Sequence, residues 1–219
     1  MERSKLKVKA ILFDLDGTIL DSKEAYHEAM RAAFKEMGKE KFDPKLIREI
    51  PRKLEQGLPI NDMIKGIDPQ RFLNLYLKAY YRLTATKARP IPNVSATLKR
   101  LSKVAKLAIT TMRYVPKENV IEELKRFGLS RYFQHVITAI DTSNPKPSPE
   151  ALIRCAREFG FETSECAVVG DSIVDVRAGK NAGARTVAVL SGIFSREELE
   201  RENPDLILES VRELPDFVE

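Results

Sequence analysis

The sequence predicts an α/β protein in which a parallel β-sheet lies between two layers of helices and carries an inserted all-helical unit. Two observations support this class. Short apolar segments alternate with amphipathic segments along most of the chain, and the alternation stops between residues 21 and 88, where no strand-like segment occurs. The 219 residues, 43% of them hydrophobic, suffice for a core domain with a smaller second unit.

The predicted strands are short apolar segments of the kind that is buried on both faces of a parallel sheet. They cover residues 8–15, 106–110, 135–140, 166–170 and 185–190, with 205–208 as a weaker sixth. The predicted helices between them cover residues 94–103, 116–127, 149–159 and 173–182. This order favours a three-layer α/β/α arrangement.

The interrupting segment is predicted to be entirely helical. Ser22 is placed to cap a first helix, and Asp43 and Asp68 each precede a proline, which suits the first helical position. We therefore expect a core domain of residues 1–20 and 89–219 and a cap domain of residues 21–88. Because both connections fall on the same side of the sheet, the cap is expected to cover the strand ends.

Composition excludes several classes of protein. The 37 Lys+Arg and 32 Asp+Glu give a net charge of +5, but the signs alternate along the chain, which argues against a nucleic-acid partner. Cys155 and Cys166 lack the spacing of a zinc ribbon and cannot form a disulfide scaffold. No apolar run reaches the ~20 residues of a membrane span. We expect a cytoplasmic protein, monomer or homodimer, with no membrane partner.

Charged side chains follow the predicted strands at the edge where a parallel sheet binds ligands. Asp14 and Asp16 end the first strand, and residues two apart in extended geometry point to the same side. Asp171 ends the fourth strand, with Asp175 four residues beyond. Lys146 follows the third strand between two prolines that restrict its backbone. We expect these side chains to gather at one edge of the sheet.

Hydroxyl groups belong to the same edge, because Thr110 and Thr111 end the second strand. Such a collection of polar groups would be costly to bury without a ligand. Oxygen ligands favour Mg²⁺ over zinc or copper. Asp175 has a second interpretation, since Ser172 and Asp175 form the pattern of a capping box for the next helix, and the two roles are compatible.

Four motifs occur in order at these strand ends: DLDGT at 14–18, the threonine at 110, the lysine of KPSP at 146–149 and GDSIVD at 170–175. Together they resemble the motifs of the haloacid dehalogenase-like hydrolase superfamily, in its branch with a helical cap, which includes phosphoglycolate phosphatases and β-phosphoglucomutases. The resemblance covers nearly the whole chain. It implies a Rossmann-like core and phosphoryl-transfer chemistry.

The resemblance also implies roles for the residues. Asp14 would be the nucleophile and Asp16 the general acid and base. Mg²⁺ would be held by the Asp14 carboxylate, the Asp16 carbonyl and the Asp171 carboxylate, with Asp175 in support. Lys146 would add positive charge at the transferring phosphoryl group and restrain Asp14.

Thr110 and the Thr111 backbone N–H would hydrogen-bond the phosphoryl oxygens. Thr111 departs from the family pattern, which often has asparagine there, and Arg113 becomes a candidate phosphate or substrate contact. In the cap, Arg52 opens a turn that could reach over the cleft, so it is a candidate for substrate binding.

The function expected from these features is hydrolysis of a small phosphorylated metabolite such as phosphoglycolate or a sugar phosphate. Asp16 argues against dehalogenation, because a halide leaving group needs no acid. Two alternatives remain open. A phosphosugar mutase would share every core residue, and a non-catalytic binding protein would be expected to lack one of the core carboxylates.

Overall fold

The computed structural model describes residues 5–219 and divides into two compact units. One is formed by the chain up to Leu20 and from Pro90 onward, and the other by Asp21–Arg89. At the division, two short strands, β2 (Leu20–Asp21) and β3 (Arg89–Pro90), pair with each other. None of the helices described between residues 5 and 219 is long and apolar enough to cross a membrane.

The first unit is built on a six-stranded sheet in which every neighbouring pair is parallel. Besides β1 (Ala10–Phe13), its strands are β4 (Lys106–Thr110), β5 (His135–Ile137), β6 (Cys166–Gly170), β7 (Arg185–Val189) and β8 (Leu206–Leu208). Their spatial order is β5-β4-β1-β6-β7-β8. The carboxyl ends of all six strands therefore lie along one edge, with β1 next to both β4 and β6.

Helices connect the strands of this unit: α4 (Val94–Leu101), α5 (Lys117–Arg126), α6 (Glu150–Phe159), α7 (Ile173–Ala182) and α8 (Arg196–Arg201). Both faces of the central strands are covered, since Ile11 and Leu12, which point to opposite faces of β1, are both fully buried. The predicted three-layer α/β/α fold is confirmed.

Three predicted elements have the bounds found in the structure, namely those at 106–110, 166–170 and 173–182. The segment 135–140 was predicted as one strand, but β5 ends at Ile137 and a 3₁₀ turn follows at Ala139–Asp141. The Asp141 carboxylate accepts hydrogen bonds from the Thr138 N–H at 2.8 Å and its hydroxyl at 3.0 Å. This local capping box turns the chain out of the strand.

The second unit consists of α1 (Lys23–Glu36), α2 (Leu46–Glu55) and α3 (Pro69–Lys87), so the segment is helical as predicted. Its core is aromatic, with Phe34 stacked on Phe42 at 4.3 Å between ring centroids and in contact with Phe72 at 4.8 Å. The three helices enclose this cluster, which is separate from the sheet core.

Two of the three predicted caps of this unit differ from expectation. Asp68 caps α3 as predicted, accepting from Gln70 N at 3.0 Å. Ser22 occupies the N-cap of α1, but its side chain makes no capping hydrogen bond. Asp43 does not cap a helix directly: its carboxylate accepts from Lys45 N at 2.9 Å in a turn, and α2 begins at Leu46. The carboxylate is satisfied locally, so the helix starts later.

Candidate active site

The loop after β1 places the first two acids. Asp14 N donates to Val169 O at 2.8 Å, which extends the pairing of β1 with β6 by one residue. Gly17 then adopts a φ of 81°, a conformation that favours glycine, and its N–H donates to Leu20 O at 2.7 Å. The tight turn leaves Asp14 and Asp16 at the carboxyl end of the central strand.

Lys146 lies at the centre of the site. Its ammonium group donates to Asp14 Oδ1 at 2.9 Å, to Asp175 Oδ1 at 2.7 Å and to the Thr110 carbonyl at 2.6 Å. These three bonds use all three donors of the ammonium group. Burial alone would lower the pKa of Lys146, but the carboxylates of Asp14 and Asp175 outweigh it and raise that pKa. The lysine is therefore a fixed positive charge.

The Asp175 carboxylate takes part both in the N-terminal cap of α7 and in the ion pair with Lys146. Its Oδ2 accepts from Ser172 N at 3.1 Å and from Ser172 Oγ at 2.6 Å, and Asp175 N donates to Ser172 Oγ at 3.3 Å, which completes the predicted capping box of α7. Its Oδ1 accepts from Lys146. The helix cap thereby holds the carboxylate in position beside the lysine.

Asp171 is enclosed by small residues. Thr18 Oγ1 donates to its Oδ1 at 3.2 Å. A Cβ atom on Gly17 would lie 2.5 Å from Asp171 Oδ2, and one on Gly192 would lie 1.6 Å from it, so only glycine fits at both positions. Carboxylate oxygens of Asp14, Asp171 and Asp175 all lie within 4.8 Å of one another, a separation that one cation can bridge.

The charges of the site fit a divalent cation held by oxygen ligands. Among the described residues of the site, five acidic side chains that are buried or nearly so face two basic ones; the acids are Asp14, Asp16, Glu123, Asp171 and Asp175, and the bases are Lys146 and Arg113. Burial raises the pKa of Asp14 to about 7, although Lys146 acts in the opposite direction. A bound cation would offset this excess of negative charge, and an all-oxygen ligand set suits a hard metal ion.

Arg113 forms a bidentate ion pair with Asp16. Its Nε donates to Asp16 Oδ2 at 2.6 Å and its Nη2 donates to Asp16 Oδ1 at 2.6 Å. Nη1 donates to Glu123 Oε2. The structure thus brings this predicted phosphate or substrate contact to the carboxylate predicted as general acid and base.

The two threonines at the end of β4, Thr110 as its last residue and Thr111 directly after it, differ in their hydrogen bonds. Thr110 Oγ1 is fully buried and has no hydrogen-bond partner among the described residues, so it is a candidate donor to a phosphoryl oxygen. Thr111 N donates to Ile137 O at 3.0 Å. The phosphoryl contact implied for this N–H is therefore not available here, because the pairing of β4 with β5 continues one residue further and uses the donor.

Arg52 is the one candidate site residue that belongs to the helical unit. It lies on α2, and its Nη1 donates to Glu49 Oε1 at 2.9 Å. Its role in substrate binding stays a prediction.

Four residues that contact the site were missed or given no site role by the sequence analysis: Thr18, Glu123, Ser191 and Gly192. Ser191 Oγ donates to Gly17 O at 2.6 Å, which fixes the turn after β1. Ser191 and Gly192 lie two and three residues beyond the end of β7, so the strand-end rule applied to that strand would have found them. Glu123 carries no such signal, since in sequence it is one acid among the charges of α5.

The parallel sheet carries a buried aspartate–lysine centre at its carboxyl edge, and comparison with known proteins gives the family of the chain. Residues 11–189 match the family model of haloacid dehalogenase-like hydrolases. The chain belongs to this family.

Relatives of known name cover nearly the whole chain. It is 30% identical over 217 residues to pyrophosphatase PpaX of Halalkalibacterium halodurans, covering 97% of this chain and 98% of that protein. It is 29% identical over 207 residues to phosphoglycolate phosphatase of Aquifex aeolicus, covering 92% of each. A haloacid dehalogenase-like hydrolase from Streptococcus pneumoniae has the same fold, with a TM-score of 0.81 at 22% identity over 96% of this chain and 98% of that one.

Proposed function

We propose that this protein is a Mg²⁺-dependent phosphatase that hydrolyses small phosphomonoesters through an aspartyl-phosphate on Asp14. The observation that carries the proposal is the buried lysine that bridges Asp14 and Asp175 beside Asp171. This arrangement restrains a carboxylate nucleophile next to a site for a cation. A relative named phosphoglycolate phosphatase supports the phosphatase activity.

Asp14 acts as the nucleophile. Lys146 binds its Oδ1, so the nucleophilic carboxylate is held in one orientation and its Oδ2 is left to attack phosphorus in line. Mg²⁺, held by Asp14, the Asp16 carbonyl and Asp171 beside Asp175, would supply the positive charge that keeps Asp14 ionised and reduces its repulsion from an anionic phosphate. The Thr110 hydroxyl donates to a phosphoryl oxygen, and the positive charge of Lys146 stabilises the negative charge of the phosphoryl group without a direct hydrogen bond.

Asp16 moves the protons in both steps. In the first, the P–O bond of the ester breaks and the leaving oxygen takes a proton from Asp16. In the second, Asp16 accepts a proton from water, whose oxygen attacks phosphorus and releases inorganic phosphate and the Asp14 carboxylate. The contact of Lys146 with Asp175 at 2.7 Å holds the lysine in position beside Asp14.

The substrate is proposed to be a small phosphorylated metabolite such as phosphoglycolate or a sugar phosphate, hydrolysed in the cytoplasm without a nucleic-acid or membrane partner, by a monomer or a homodimer. The runner-up is a phosphosugar mutase. A β-phosphoglucomutase-type structure from Thermotoga maritima has a TM-score of 0.71 at 23% identity, which is a likeness of fold alone. The presence of every core carboxylate argues against the non-catalytic alternative.

The test is release of inorganic phosphate from a panel of phosphorylated metabolites, with Mg²⁺ and with a chelator. We expect Mg²⁺-dependent release with the wild-type protein and none with Asp14→Asn. Asp216→Asn is the control, since Asp216 pairs with Arg100 on the surface of the same unit. Isomerisation of a sugar phosphate with little phosphate release would establish the mutase instead. Absence of both reactions across the panel would refute the proposal.

A further inference from the structure

Arg113 joins two buried acids that come from different parts of the chain. Asp16 lies in the loop after β1, and Glu123 lies on α5. The side chain of Arg113 is 5% exposed, that of Asp16 is 9% exposed and that of Glu123 is 6% exposed. Buried ion pairs of this kind are costly to form unless their geometry is good, and here both acids contact the same guanidinium group.

The contact with Asp16 fixes the orientation of its carboxylate. Both oxygens are bound by the guanidinium fork at 2.6 Å, so rotation of the carboxylate plane would break two charge-assisted hydrogen bonds. Each carboxylate oxygen has two lone pairs, and the fork uses one on each. The carboxylate therefore keeps a defined direction, which is what a group that transfers protons at a fixed distance needs.

Glu123 fixes the arginine in turn. It is buried on the same helix as Val120 and Leu124, where an acid has no packing advantage over an apolar residue. Burial raises the pKa of Glu123, although Arg113 acts in the opposite direction. The contact with Arg113 Nη1 is the feature that accounts for a buried acid at this position.

We propose that Arg113, held by Glu123, is a positioning residue that orients the Asp16 carboxylate as the base that accepts a proton from water in the second step. The proposal rests on the proposed phosphatase function. It differs from a phosphate-binding role for Arg113, because Nε, Nη1 and Nη2 each contact a carboxylate.

The two steps of p-nitrophenyl phosphate hydrolysis separate these roles. Nitrophenolate leaves without a proton, so formation of the aspartyl-phosphate needs little help from Asp16, whereas attack by water needs a base. A variant with a misoriented Asp16 therefore releases one equivalent of nitrophenolate rapidly and then turns over slowly. A variant that has lost a phosphate contact binds substrate more weakly and has a higher KM.

Three variants make the test. Arg113→Lys keeps the charge but loses the fork, and Glu123→Gln keeps the size of the second acid but loses its charge. Arg177→Lys is the matched control, because Arg177 makes the same fork with Glu202, at 2.9 and 2.7 Å, on the surface. Circular dichroism establishes which variants fold. If Arg113→Lys does not fold, the kinetics of Glu123→Gln test the positioning role.

We expect Arg113→Lys to lower the steady-state kcat by about tenfold or more, part of the 10²–10⁴-fold that such catalysis contributes, with a burst of one equivalent of nitrophenolate. Because only the second step is slowed, KM should fall together with kcat and leave kcat/KM nearly unchanged. Glu123→Gln should show a smaller loss of the same kind, and Arg177→Lys none. Three outcomes would overturn the positioning role alone. The first is a raised KM with unchanged kcat, and the second is an equal loss of the burst and of the steady-state rate. The third is wild-type turnover in folded Arg113→Lys and Glu123→Gln. An inactive wild-type enzyme would overturn the proposed function and this role together.

Discussion

Lys146 and Asp175 form a buried ion pair at 2.7 Å that joins the loop after β5 to the first turn of α7. The same ammonium group binds the Asp14 carboxylate at 2.9 Å. One ammonium group therefore pairs with two acids, one directly after β1 and the other in the first turn of α7.

Replacing this lysine should destabilise the protein strongly. Lys146→Met leaves Asp14 and Asp175 buried without their cation, and breaking a buried pair in this way costs roughly 3–5 kcal/mol. Urea denaturation would measure the loss. Arg100→Met is the control, because Arg100 pairs with Asp216 on the surface and such pairs contribute about 1 kcal/mol or less. Equal losses in the two variants would show that the buried pair has no special part in stability.

Asp171 is expected to set the affinity for Mg²⁺. Asp171→Asn keeps the size of the side chain within the space left by Gly17 and Gly192 but removes a negative charge from the cation site. The concentration of Mg²⁺ needed for half-maximal activity should rise by tenfold or more, on the order of 1.4 kcal/mol of binding free energy. Calorimetric titration with Mg²⁺ provides a readout independent of activity. An unchanged titration would remove Asp171 from the ligands.

The capping box of α7 should matter for activity as well as stability. Ser172→Ala removes two hydrogen bonds to Asp175 and should cost about 1 kcal/mol of stability. It should also lower kcat, since Asp175 loses part of its restraint beside Lys146. Ser195→Ala is matched to it, because Ser195 forms the same box with Glu198 at the start of α8. Equal activity in the two variants would mean that the cap has only a structural role.

The Asp205 carboxylate should make stability depend on pH. Burial alone would raise its pKa, but hydrogen bonds from Thr186 N at 2.8 Å and Thr186 Oγ1 at 2.9 Å, together with Arg185, lower it from the ordinary 3.8. A carboxyl with a lowered folded pKa stabilises the protein above its unfolded pKa, and this stabilisation is lost as the pH falls through the folded pKa.

Asp205→Asn should therefore be less stable than the wild type at pH 7, and the difference should shrink as the pH falls below about 4. Urea denaturation at several pH values would measure it, with Asp216→Asn as a surface control. A difference in unfolding free energy between the two proteins that stays constant down to the lowest pH at which they fold would contradict a lowered pKa of Asp205.

Local sequence signals predicted the order of the strands and helices and some of their bounds. The strand at 106–110 and the helix at 173–182 have their predicted bounds because an apolar run and a capping serine act over a few residues. The strand predicted at 135–140 was too long, because the Asp141 carboxylate accepts a hydrogen bond from Thr138 N in a turn. Asp43 does not cap α2, because its carboxylate accepts a hydrogen bond from Lys45 N in the preceding loop. Those competing local bonds are not visible in a hydrophobic pattern.

The sequence alone determined that Asp14, Asp16 and Asp171 would lie where strands end and that Lys146 would follow a strand, because position along the chain relative to an element follows from local pattern. Only the tertiary structure decided their partners. Arg113 lies 97 residues from Asp16 along the chain, and Thr18 lies 153 residues from Asp171. Which charges meet depends on strand order and on the burial that makes pairing necessary, and both are properties of the folded chain as a whole.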